Sequence, residues 1–132
     1  GHTMAYKNGP LTLEAGGTVA DKRLVKLDSG TVVHNTATAT DDPIGVTDMA
    51  GVDGDMVTVK PLNKEGTLEM TAAGAITAGA DVYAAAAGKV SALPVAAATY
   101  RKIGNALEAA SGDGAIIEVL PYDYHTTTDV AE

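Results

Sequence analysis

The residues able to do chemistry are few and scattered. The serines are Ser29, Ser91 and Ser111, and none sits in the G-x-S-x-G setting that presents a nucleophile on a strained turn. His34 lies beside a threonine-rich loop and His125 in a polar C-terminal stretch; neither has a clustered third ligand for zinc. The nearest approach to a phosphate-binding loop is "YAAAAGKVS", residues 83–91. It has Tyr83 where the first glycine belongs and Val90 where the magnesium-binding hydroxyl belongs, so it lacks both the phosphate cradle and the metal ligand. The acidic turns at Asp41–Asp42 and Asp53–Asp55 offer oxygen atoms to a cation such as calcium. They lack the EF-hand pattern, and Asp-Gly is common turn chemistry. With no cysteine in the chain, disulfides, thiolate metal sites and thiol nucleophiles drop out together. The expectation is a protein that is not an enzyme and needs no metal or cofactor.

Composition narrows the class further. The 132 residues suit one domain, and the first three, "GHT" including His2, read as a cleavage remnant ahead of the native start at Met4. No window approaches 18 consecutive apolar residues, which argues against a membrane span, and no leader pattern is present. A net charge of −8, from 17 acidic and 9 basic residues, disfavours a nucleic-acid partner. Phe and Trp are absent and Tyr numbers five. An interior of Val, Ile, Leu and Ala calls for closely approaching layers.

The elements that must build that interior are short strands. Period-two patterns recur near 11–14, 23–27, 31–33, 55–60, 67–70, 75–77, 81–84, 88–91, 103–107 and 115–120, separated by Gly, Asp and Pro turn signals. One short helix at most is expected, around the alanines of 92–99. The class is all-β, a small barrel or sandwich, with Val57, Val59, Ile117 and Val119 turned inward.

The chain also says nearly the same thing twice. Gly17, Val19 and Val25 recur 57 residues later as Gly74, Ile76 and Val82, and Gly30 and Val32 recur at 58 as Gly88 and Val90. Ile44, Gly45 and Ala50 recur at 59 as Ile103, Gly104 and Ala109. Asp53, Gly54, Val57, Val59 and Pro61 recur at 60 as Asp113, Gly114, Ile117, Val119 and Pro121. An offset growing by single steps is what one-residue insertions in loops produce, so two pseudo-repeated halves are expected.

The stretches "GTLEMTAAGAITAGADVYAAAAGKVSA" (66–92) and "IGNALEAASGDGAIIEVLP" (103–121) resemble the capsid decoration, or cement, proteins of tailed phages, the lambda head-decoration-like group. Relatives sometimes carry the label of predicted phage recombinase, which the missing phosphate loop does not support. The resemblance covers roughly residues 4 to 122. It implies a compact β-barrel-like or β-tulip-like domain and a structural virion protein, made in the host bacterial cytoplasm, that binds the outer capsid surface and stabilises it. The implied partners are the phage major capsid protein and two further copies in a homo-trimer, without nucleic acid or membrane. It also implies an N-terminal arm, residues 4–17, whose Ala5, Tyr6, Lys7 and Asn8 touch the capsid. The Gly9-Pro10 turn signal and low apolar content predict that residues 4–10 are mobile in the free protein. A β domain at 18–122 and a flexible tail at 123–132 complete the expected organisation. The alternative is a carbohydrate- or host-surface-binding β module, which would favour Trp or clustered Tyr as stacking platforms.

Overall fold

In the computed structural model, which describes residues 10–63 and 66–131, eleven strands run in the order β1 (Leu11–Glu14), β2 (Leu24–Asp28), β3 (Thr31–His34), β4 (Pro43–Thr47), β5 (Met56–Pro61), β6 (Leu68–Thr71), β7 (Asp81–Ala84), β8 (Val90–Ser91), β9 (Ala98–Ala106), β10 (Ile116–Pro121) and β11 (Thr127–Val130). Two antiparallel sheets result. The first is ordered β1-β5-β4-β2-β3 and the second β6-β10-β9-β7-β8, with β11 pairing the outer part of β9. Adding five to every strand number of the first sheet reproduces the second.

The correspondence reaches single residues. Leu13 faces Val57 as Met70 faces Ile117. Isolated bridges join Ala15 to Val32 and Ala72 to Val90, then Val19 to Gly51 and Ile76 to Ala110. A register shift falls between Val25 and Lys26, and its counterpart between Val82 and Tyr83. Gly54 and Gly114 share a φ of 91°, the left-handed conformation that the Asp-Gly turn requires and only glycine adopts without strain. The doubled phrasing of the sequence is therefore a doubled fold.

Alternation buries one face of each strand. Val57, Val59, Ile117 and Val119 are all in the interior, as expected. The first half builds its own cluster from Ala15, Val19, Val25, Val32, Val57 and Val59. The second cluster contains Met70, Val82, Val90, Ile103, Ile117 and Val119, and also takes in Leu24, Val46 and Leu62 from the first half. Leu24 and Val46 are cross-strand partners, one residue along from Val25 and Thr47, so the first sheet sends apolar side chains both ways.

The halves meet head to tail. Thr71 donates its backbone N–H to the Lys22 carbonyl at 3.0 Å, and Gly88 donates to the Asn35 carbonyl at 2.9 Å. The Arg23 guanidinium donates to the Ala87 carbonyl at 3.0 Å. The repeat mates of Thr71 and Lys22 are Glu14 and Gly79, which do not form the reciprocal contact, so the two halves are not related by an isologous interface.

Several expectations need correction. The only helical element among the described residues is a 3-10 turn at Ala86–Gly88, not a helix at 92–99. Pro94 and the exposed alanines there form irregular backbone running into β9, whose start at Ala98 lies well before the expected 103. Residues 75–77 contribute one bridge rather than a strand. β4 was not foreseen, nor was β11, which places a paired strand where a tail was expected. Among the described residues no ladder closes either sheet into a barrel, although the bridges Ala15–Val32 and Ala72–Val90 link the end of the first strand to the last strand of each sheet.

Candidate functional site

The expected contact residues Ala5, Tyr6, Lys7 and Asn8 lie outside the described residues. Of the arm, residues 11–14 form β1, a sheet edge paired with β5 on one side.

The residues with chemical potential are occupied in structural roles. His34 accepts the backbone N–H of Ala20 at its Nε2, 2.9 Å away. Burial, with Arg23 nearby, holds its pKa below the usual histidine value. His125 packs against the Tyr124 ring at 4.8 Å. Ser91 donates to the Ala92 carbonyl. Residues 86–88, inside the stretch that approached a phosphate loop, form the turn that abuts the first half.

The acidic turns are likewise engaged. The Thr36 hydroxyl bonds Asp41, and with Lys26 at 3.1 Å this holds its carboxyl below the usual range. Asp42 pairs with Arg101 at 2.9 Å, and Asp55 accepts the Val52 N–H at 3.0 Å. Among the described residues, no group of three or more His, Asp or Glu is placed to hold a metal ion.

A polar cluster closes the outer side of the second half. Tyr122 donates to Asp81 at 3.1 Å, and Asn105 donates to the Gly79 carbonyl at 2.6 Å. Lys102 lies 3.4 Å from Asp81 and 4.6 Å above the Tyr122 ring. Burial raises the Asp81 pKa, but the hydrogen bonds from Tyr122, Asn105 and Lys102 outweigh it and the net shift is downward. The sequence carried no sign of this cluster, whose members come from β7, β9 and the residue that follows β10.

What remains open for function is apolar surface. Val95 is 96% exposed on the loop between β8 and β9, next to exposed Leu93. Leu11 on β1 and Leu27 on β2 are exposed, and Leu27 lines a depression of about 370 Å³ together with Lys26, Thr40, Asp41, Asp42 and Ile44. Such an arrangement can bind a surface; among the described residues it brings no nucleophile, base and oxyanion donor together.

Comparison with known proteins agrees with that character. A family model described as phage cement protein matches residues 5–121. Among solved structures, the chain is similar to the N-terminal base of the head fiber gp8.5 of bacteriophage phi29. The TM-score is 0.67 at 19% identity, over 87% of this chain and 94% of that one. No curated protein sequence matches.

Proposed function

We propose that this chain, which belongs to the phage cement protein family, binds the outer surface of its phage's capsid without covalent chemistry and raises the capsid's resistance to rupture. The observation that carries the reading is the family match across residues 5–121. The doubled β domain, whose polar residues are committed to holding the fold, is consistent with it. The mechanism is linkage. A protein that binds the assembled shell, but not its separated subunits, shifts the equilibrium towards the shell, and many symmetric copies multiply the effect. In this reading three copies gather at local three-fold positions, each half curls in barrel-like fashion, and Ala5, Tyr6, Lys7 and Asn8 contact the shell.

A sugar-binding module has no comparable support. Tyr83 and Tyr100 are buried, Lys102 covers a face of Tyr122, and stacking platforms must be free.

The test adds purified protein to expanded heads that lack it. Co-sedimentation, followed by a higher temperature for DNA release, is expected. Failure to co-sediment, or binding without added resistance, would sink the proposal.

A further inference from the structure

The two halves present one face twice, and only one copy of it is covered. In the second half, Leu68, Met70, Ala84 and Ile103 are at most 3% exposed, in one cluster with Leu24, Val46 and Leu62 of the first half. Their repeat mates are Leu11, Leu13, Ile44 and Leu27. Leu11 faces Val59 and Leu27 faces Val32 across their ladders, so both share the side of buried core residues. Yet Leu11 is 37% and Leu27 53% exposed, and Leu13 and Ile44 are only partly buried at the margin of their cluster.

The opposite end of the array is finished differently. The mates of Leu24, Val46 and Leu62 are Asp81, Asn105 and Tyr122, the polar cluster described above. Stacked repeats need polar outer faces at their ends to stay soluble. Here one end has such a face and the other keeps apolar side chains in water. A second copy joining head to tail would set Asp81 and Asn105 against Leu11 and Leu27, taking the ionised Asp81 and its Lys102 partner out of water, a desolvation that apolar side chains do not offset. The open end therefore does not suit this chain's own far end.

Its charge indicates what it does suit. Asp28, Asp41 and Asp42 occupy the places held in the covered half by Ala85, Tyr100 and Arg101. Lys26 and Arg101 answer Asp41 and Asp42, and Asp28 has no ion-pair partner among the described residues. On the covered face, the occupant within the chain is Leu24 preceded by Lys22 and Arg23.

We infer that the open end of the first half, at Leu11, Leu27 and Ile44, is a docking face for a segment of the capsid subunit that presents a leucine or valine side chain beside a cation. This inference rests on the capsid-binding reading above, and adds the face used and the chemistry it meets.

The experiment measures co-sedimentation of the full chain with heads of its own phage lacking this protein, in wild type, Leu11→Thr/Leu27→Glu, Asp28→Lys and Val95→Glu. Thermal unfolding verifies that each variant is folded; Asp28→Lys alters only an exposed side chain. Binding at least tenfold weaker for Leu11→Thr/Leu27→Glu and for Asp28→Lys, with Val95→Glu like wild type, is the expected result. Wild-type binding with both end variants unimpaired overturns the docking face and leaves capsid binding standing. No wild-type binding overturns capsid binding itself, and this inference with it. Concentration-dependent self-association of the free protein, abolished by Leu27→Glu, would identify a second copy as the occupant and also overturn it.

Discussion

Asp42 and Arg101 hold the same place in successive halves and are ion-paired to each other at 2.9 Å. The two partners are not equals. Arg101 is buried, and its guanidinium also donates to the Ala39 carbonyl at 2.8 and 3.1 Å and to the Tyr124 carbonyl at 3.1 Å. The Asp42 side chain is 80% exposed. Replacing Arg101 with Ala strands two part-buried carbonyls, leaves a void where a buried side chain stood, and should cost about 2–3 kcal/mol. Asp42→Ala loses a solvent-screened pair and should cost under about 1 kcal/mol. Urea unfolding of the two variants measures both; equal losses would contradict this division.

Gly45 and Gly104 give a second matched pair. A methyl group at either would be driven into the backbone carbonyl of the neighbouring strand, Lys60 in one half and Leu120 in the other. Gly45→Ala and Gly104→Ala should each destabilise by about 2–3 kcal/mol. Gly17 and Gly74, also repeat mates, have nothing within 4 Å of the added carbon. Alanine at those positions should be neutral or stabilising by up to about 1 kcal/mol. Four melting curves settle the comparison.

Gly30 and Gly88 separate backbone strain from contact across the junction. Both have positive φ, 85° and 70°, so alanine costs about 1–2 kcal/mol at either. Only at Gly88 would the new carbon also meet the Leu24 carbonyl, at 2.5 Å. Gly88→Ala should therefore be the more damaging by about 1–3 kcal/mol. Equal melting temperatures for the two would show that the halves separate easily here.

Acid should weaken the fold in two stages. The folded-state pKa of His34 is lowered by burial, so below about pH 6.5 the unfolded chain takes up the proton first and stability falls. The carboxyls of Asp48, hydrogen-bonded by Lys22, and Asp41, hydrogen-bonded by Thr36, are also held low. Their contribution is present above about pH 4 and is lost as pH falls through their folded values. Lys22, raised by its bond to Asp48, acts at the other extreme. Its contribution is present below about pH 10.4 and is lost as pH rises through the folded value. His34→Gln, which retains an acceptor for the Ala20 N–H, should flatten urea midpoints between pH 7 and 5 and leave the later acid loss in place.

The doubling was legible in the sequence because turn glycines and inward valines recur at fixed places whatever surrounds them. β4 was not, since Pro43 and Gly45 interrupt the alternation a strand shows. β11 was not, because Thr127–Val130 has little apolar content and gains its order by pairing with an extended β9. The alanines of 92–99 favour a helix locally, but that preference gives way to Pro94 and the entry into β9. The open end was illegible for a different reason. Leu11 and Leu68 are the same residue type in the same repeat place, and only the packing of one half on the other distinguishes them.

The unequal sharing of the two apolar clusters sets an order of assembly. The cluster of the first half draws on residues 13 to 59 alone, so the ribosome has delivered all of its members before β6 is made. The cluster of the second half includes Leu24, Val46 and Leu62, so it completes only against a first half already in place. Such a chain matures from its N-terminus as it emerges, with the earlier half serving as template for the later one. A fragment ending at residue 63 keeps every member of its cluster; a fragment beginning at 66 lacks three of its own.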